Sequence, residues 1–366
     1  MSTELNVDVN QFPSLTWNFL KINRTHLNTV LEKDSGFTAI AGNDEIDLKE
    51  VDFSAVSSEV REIETGLGKS FDKAFDDFSQ NGKTVVVNLP ESKGCASYHK
   101  VKILLEQLDC ETKAKDFVIH GEKNSCGMVL FTFKNGQLNN GTLGVRIRVV
   151  AEENADIKIC LVNLLGNKVI HFVSLGSLVK DNACVDVTEL QLGGEKVYSG
   201  NFQQLSGYKS KCTGHTAYLA RFNSSFDFNY VANHTGRETE SFMACDGVAD
   251  DNAEKVWRGT INFVKGCAES KGDEQENVLL LSPKVVNKTL PVILCDEEAV
   301  EGRHGASIGK VGSDMLFYLQ SRGVTEKEAQ RLMVMAKINS VCRYITDDET
   351  VQDVNSYLNE IFGEKD

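Results

Sequence analysis

From Thr84 to about Cys295 the chain is written in short β-branched and aromatic runs: TVVVNL, MVLFTF, LGVRIRVV, DIKICLVNL, KVIHFVSL, AYLARF and VWRGTINFV. Several alternate with period two, the spacing that puts every second side chain on one face of a strand. Gly, Asn and Asp separate them, as turns require. A strand region this long forms its own core, as a sandwich of sheets or as a solenoid of stacked coils. Val101–Leu108 reads as a helix set early in it.

A faint repeat bears on that choice. Glu153-Asn154-Ala155, Asp181-Asn182-Ala183 and Asp251-Asn252-Ala253 each precede a strand-like run. A polar pair that turns the chain, then a small residue admitted into a tight stack, is what β-solenoid coils need. The separations are unequal, 28 and then 70 residues. Three similar sandwich turns fit as well, so both architectures stand on this signal.

Either side of the strand region the period lengthens. Residues 1–82 read as a mixed, largely helical domain. Val60, Ile63, Leu67, Phe71, Phe75 and Phe78 recur at steps of three and four, an amphipathic stripe that Gly66 and Gly68 break into two pieces. Pro13–Asn18 carries an apolar-aromatic cluster suited to docking on a core. Residues 312–366 read as a helical domain after a core of 83–311. There Thr325-Glu-Lys-Glu328 is a capping box, with Glu328 reaching back, and Thr346-Asp-Asp-Glu349 repeats it. Leu332, Met335, Ile338, Cys342 and Ile345 form one stripe, and Val351, Val354, Leu358 and Ile361 another. Each apolar face packs either on the strand core or in a partner's groove.

The charge balance narrows the function. Acidic residues outnumber basic ones, 53 to 39, for a net charge of −14, which disfavours nucleic acid as a partner. No apolar run approaches the ~20 residues that cross a bilayer. Met1–Gln11 lacks the basic start and apolar core of a signal peptide, so a cytoplasmic protein with no membrane partner is expected. The ten cysteines are spread without a C-x-x-C, which argues against a structural zinc site or a ferredoxin-type cluster and for small buried hydrophobes.

No familiar enzyme signature is present: no G-x-x-x-x-G-K-[ST] loop, no G-x-S-x-G, no H-E-x-x-H. The chain is expected not to be an enzyme. Gly193-Gly194 and the acidic cluster Asp246–Asp251 read as turns. A β-helix enzyme acting on carbohydrate would line a groove with carboxylates or basic residues on successive strands, and no such row is legible.

The chemistry that remains concentrates at Glu301–Gly323, EGRHGASIGKVGSDMLFYLQSRG, where a histidine among small residues precedes a glycine-punctuated turn and an apolar helix. This run, preceded by CDEEAV, resembles the C-terminal signature of the SufB/SufD family of iron–sulfur cluster assembly proteins, on its SufD-like side. Phe228-Asn229-Tyr230-Val231-Ala232 with His234, Gly236 and Thr239 resembles the family's middle. Arg258-Gly259-Thr260 and Val278-Leu279-Leu280-Leu281-Ser282 resemble the lead-in, and Pro13–Asn18 the opening of a SufD-like branch.

The resemblance implies a right-handed parallel β-helix between N-terminal and C-terminal helical segments. It implies a scaffold that dimerises through the β-helix, with itself or with a SufB-like paralogue, and binds a SufC-type ABC ATPase through its C-terminal helices. Phe317, Tyr318, Arg322, Leu332, Met335 and Ile338 are the residues expected at that contact. His304 matches the signature histidine, and Cys295 a cysteine that precedes the signature in SufB-like members. Glu301 is a nearby carboxylate, so these three are the candidate ligands of a transient iron–sulfur cluster, provided that adjoining coils or two chains bring them together. Gly305 stands where SufB proteins commonly carry glutamate, and Gly302 where SufD proteins carry cysteine. A purely structural subunit that binds no iron is therefore the alternative. Whether a flavin takes part is left open by the resemblance.

Overall fold

The computed structural model describes residues 2–14, 18–42, 46–92, 98–107, 111–135, 140–310 and 312–363. Two parallel sheets face each other, and successive strands alternate between them. Sheet one runs through Lys83–Leu89, Thr112–Gly121, Gly141–Ala151, Val169–Val179, Lys196–Leu205, Ser225–His234, Glu254–Phe263 and Val286–Cys295. Sheet two runs through His99–Gln107, Cys126–Asn135, Asp156–Leu164, Cys184–Gln191, Lys211–Ala220, Glu240–Ala249, Lys271–Leu280 and Glu301–Lys310. The chain is thus a parallel β-solenoid of about 7 turns. Cys126, Asp156, Cys184, Lys211, Glu240, Lys271 and Glu301 are successive register partners, so a coil takes 27 to 31 residues.

The turn triplets play the part a solenoid asks of them. Asn154, Asn182 and Asp251 have φ near +59°, +55° and +53°, a left-handed geometry that Asn and Asp accept more readily than other side chains. Ala155, Ala183 and Ala253 are buried at the start of the next strand. Asn154 donates its amide to the Asp181 carbonyl at 2.9 Å, so these two turns stack on one corner. The third lies on the other corner, where the Asn252 amide reaches Phe222 O at 2.9 Å. The 28-residue interval is one coil, whereas 70 is not a whole number of coils because it crosses between corners.

Inside, alternate side chains such as Val129, Ile159 and Val187 stack from coil to coil into one continuous core. Val101–Leu108, expected as a helix, proves to be strand as far as it is described: Val101, Ile103, Leu105 and Gln107 are buried alternately in His99–Gln107, and residue 108 lies outside the described residues. The acidic stretch from Asp246 is also not simply a turn. Asp246 and Gly247 belong to Glu240–Ala249, and Asp246 meets the Lys337 ammonium at 3.1 Å. Gly193-Gly194 does turn the chain, with Gly194 at φ +115°.

The first 82 residues hold more strand than their pattern suggested. Thr3–Val9 and Thr25–Leu31 form an antiparallel hairpin. Thr38–Ala41 pairs antiparallel with His99–Gln107, and Asp47–Asp52 with Lys83–Leu89, which closes the first coil of the solenoid. The stripe of Val60 to Phe78 does break at its glycines, into α1 (Ser58–Arg61) and α2 (Lys69–Gln80). Gly66 lies so close to the backbone of Gly200 and Asn201 that any side chain would overlap them. With the hairpin, α2 packs Phe71, Phe75 and Phe78 on the outer face of sheet one. Two buried arginines fasten this layer: Arg146 joins Asp116 (2.9 Å) to Asp76 (2.6 Å), and Arg258 joins Asp227 (2.6 Å) to the Ile22 carbonyl (2.7 Å). Leu15, Thr16 and Trp17 of the expected docking cluster lie outside the described residues.

Three helices follow the last coil: α3 (Ser313–Ser321), α4 (Glu326–Cys342) and α5 (Asp348–Gly363). The Thr325 hydroxyl accepts from the Glu328 amide at 3.2 Å as expected, while the Glu328 carboxylate meets Arg331 at 3.0 Å. For α5 the cap is Asp347 rather than Thr346, accepting from the Thr350 amide at 3.1 Å. α4 and α5 pack on the outer face of sheet two through Val334, Ile338, Val341, Cys342, Val354 and Leu358, with Ile345 from the link between them. Their apolar faces are thus used within the chain. Ile338, expected at a partner contact, is buried there, and Met335 packs partly against the same cluster. Leu332 stays 49% exposed, with Phe317 at 73% and Tyr318 at 54% on α3. No helix among the described residues is long and apolar enough to cross a membrane.

Candidate functional site

The solenoid treats its two ends differently. Antiparallel strands cover the first coil, while Val286–Cys295 and Glu301–Lys310 are edge strands with no neighbour on their outer side among the described residues. Pro291 sits in one of them, a position that tolerates a missing amide. His304 lies in the other.

Alternation decides which way these side chains face. In Lys271–Leu280 the buried residues are Gly272, Glu274, Glu276 and Val278. Their register partners in the last strand are Gly302, His304, Ala306 and Ile308, which puts His304 in the row that faces the lumen. A side chain at Gly302 would press on Ile293 and Phe263, consistent with that direction. His304 is exposed, with no further coil over it among the described residues.

The three ligand candidates do not converge within one chain. Glu301 belongs to the outward row, beside Lys271 (4.0 Å) and Arg303. Cys295 is the register partner of Phe263 at the corner, and its thiol donates to the Glu297 carbonyl at 3.0 Å. Ile293 and Gly302 lie between that corner and His304. Among the described residues, the only group of three or more such ligand atoms within 4.8 Å of one another is Asp156, Cys184 and Asp186, on the outer face of sheet two. Protons already serve that group. Burial raises the Cys184 thiol and the Asp186 carboxyl, the thiol donates to Asp186 at 3.5 Å, and the Tyr98 hydroxyl donates to Asp156.

The lumen beneath His304 is charged, which the sequence reading did not anticipate. Glu274 accepts from the Trp257 indole at 2.8 Å. Its carboxyl is pushed up to about 7, chiefly by burial, against that hydrogen bond and with help from Glu276. Glu276 pairs with Lys255, whose ammonium burial pushes down. Deeper still, Glu189 takes hydrogen bonds from Tyr230, Ser199 (2.7 Å) and Gln191 (2.6 Å), yet burial still raises its pKa. One signal was available: GDEQENVLLL places carboxylates at alternate positions ahead of an apolar run. It became readable only once the register showed those positions to be inward.

On the outer face a row of charges does cross successive coils: Lys211, Glu240, Lys271 and Glu301 are register partners in sequence. Alternating in sign, they pair with one another, Lys211 with Glu240 at 2.8 Å, so the row offers no uncompensated groove to a sugar.

The family described as "SUF system FeS cluster assembly, SufBD core domain" matches residues 104–337. The iron–sulfur cluster assembly protein SufD of Bacillus subtilis (strain 168) is 31% identical over 119 residues, 32% of this chain and 27% of its own length. SufD of Escherichia coli (strain K12) is 24% identical over 214 residues, 58% and 50% of the two chains. An iron–sulfur cluster assembly SufBD family protein of Synechocystis is 25% identical over 196 residues, 51% and 41%. The matches thus span half or less of these relatives. With the solenoid, the His304 signature and a core-domain match over most of its length, the chain belongs to the SufB/SufD family.

Proposed function

We propose that the chain is a cytoplasmic, non-ATPase subunit of a SUF-type iron–sulfur cluster assembly complex. Its uncovered last coil meets a second family member, a SufB-like paralogue or another copy, and the cluster is built as cargo at that seam beside His304. Phe317 and Tyr318 of α3, Arg322 at its C-terminal cap and Leu332 of α4 form the contact for a SufC-type ABC ATPase. ATP hydrolysis belongs to that partner, in keeping with the lack of a phosphate loop here. The observation that carries the reading is the asymmetry of the solenoid, capped at its first coil and open at the coil that holds His304. An uncovered edge is a template for association, and a side chain there is shared with whatever docks.

His304→Ala tests the site. The variant is expected to fold normally by circular dichroism and to lose cluster maturation in a reconstituted mixture with the ATPase and a SufB-like partner. Undiminished maturation would overturn the assignment. The second reading, a structural subunit that binds no iron, is favoured by Gly302 and Gly305, which bring no donor atom to the histidine's strand. Anaerobic titration with iron and sulfide, of the chain alone and with its partners, separates the two.

A further inference from the structure

The lumenal row of the last two coils contains a group whose chemistry is incomplete. Glu274 and His304 are register partners in adjacent parallel strands, which lie about 4.8 Å apart. Glu274 is 1% exposed. One carboxylate oxygen takes the Trp257 indole N–H at 2.8 Å, while Oε2 is buried with no hydrogen-bond partner among the described residues. Lys255, the nearby buried cation, is engaged by Glu276. A carboxylate withdrawn from water needs more donors than one indole, or a cation. The fold also makes room for this carboxylate, because a Cβ at Gly259 would overlap it. Above it, the row neighbours of His304 in the last strand are the small residues Gly302 and Ala306, so no bulky side chain of that row stands beside the imidazole.

We propose that Glu274 and His304 together form a two-ligand seat for a divalent transition-metal cation at the open end of the lumen. The remaining coordination positions face outward, toward water, sulfide or a docking subunit. The metal's identity as Fe(II) rests on the function proposed above; the seat itself rests on the register and the orphaned oxygen. An imidazole nitrogen and a carboxylate oxygen from neighbouring strands are a donor pair that a borderline cation accepts. The carboxylate supplies the negative charge that Gly302 and Gly305 cannot. Trp257 fixes its orientation from behind, the role an outer hydrogen-bond partner plays at metal sites. Glu301, on the opposite face, has no part in the seat.

Anaerobic titration of the full chain with Co(II) alone tests this, since its visible bands report the number and type of ligands, followed by competition with Fe(II). The wild-type chain is expected to bind Co(II), and Fe(II) to displace it. Glu274→Gln, close in volume to the native side chain, and His304→Ala are each expected to weaken binding about tenfold or more and to alter the bands. Glu274→Asp, which keeps the charge but withdraws it by one methylene, guards against a folding artefact and is expected to weaken binding as well. Circular dichroism and thermal unfolding establish that each variant is folded. Weakened binding in His304→Ala with both Glu274 variants unaffected would overturn the paired seat and leave the histidine's assignment standing. Absence of binding by the wild-type chain, or binding indifferent to all three substitutions, would overturn the seat and the iron-binding form of the function together.

Discussion

Asp347 holds the C-terminal helices to the solenoid by both carboxylate oxygens. One accepts from Lys100 and Lys102, each at 2.8 Å, and the other from the Thr350 amide at 3.1 Å and hydroxyl at 2.8 Å. Asp347→Asn keeps a good cap, because Asn serves at that position as well as Asp, and removes only the charge. The two lysines are 32% and 28% exposed, so water replaces part of what each loses, and the pairs together are worth about 1 kcal/mol. Asp347→Ala also removes the cap, about 1 kcal/mol more. Opening of α5, read by native-state hydrogen exchange at pH 7, is thus expected to rise about fivefold in the first variant and about thirtyfold in the second. The pH dependence has a definite sign. Burial alone would raise the Asp347 carboxyl, but Lys100, Lys102 and Thr350 outweigh it and hold the group well below the usual carboxylate range. A depressed folded pKa gives stability that is complete above the unfolded value and lost as pH falls toward the folded one. The gap between wild type and Asp347→Asn should therefore close progressively below about pH 4. Equal α5 protection in wild type and Asp347→Ala at pH 7, or a gap that persists unchanged well below pH 4, would refute the reasoning.

Two further substitutions probe how the flanking layers are seated. Ile338→Ala should cost about 2–5 kcal/mol by denaturant unfolding, whereas Leu332→Ala, on the solvent side of the same helix, should stay within about 0.5 kcal/mol; the reverse order would mean that α4 presents another face to the sheet. Gly66→Ala forces a methyl into the Gly200 backbone and should cost about 1–3 kcal/mol, read as faster proteolysis within residues 1–82. Unchanged resistance there would contradict the close approach.

The solenoid was half legible because its corner residues carry a local signal: Asn154 and Asn182 take a left-handed turn and the alanines after them must be small. What the chain does not announce is which corner a turn belongs to, hence the uninterpretable 70-residue interval. Val101–Leu108 misled because Leu, Lys, Glu and Gln serve a helix by propensity and outnumber the strand-favouring Val101 and Ile103, while the strand is imposed by neighbours in sheet two that local sequence does not reveal. The hairpin near the start hid for a different reason. Its buried residues are Leu5 and Val9, then Leu27 and Leu31, and a spacing of four fits one face of a helix and one face of a strand equally. At the site, His304 was legible through its signature. Glu274 and Trp257 were not, since their meeting depends on the register of strands that are seventeen residues apart in sequence. Leu332 and Ile338 were placed in one stripe, yet only Ile338 is buried, because the face of α4 that packs runs through Val334, Ile338 and Val341.

The central claim is that the last coil becomes the seam of an assembled complex. Amide hydrogen exchange in Val286–Cys295 and Glu301–Lys310 tests it most directly, compared between the isolated chain and its mixture with a SufB-like subunit and the ATPase. Slower exchange across both edge strands on mixing, by about tenfold or more, is the predicted result. Exchange there that stays the same in a complex that has demonstrably formed would place the seam elsewhere and contradict the account.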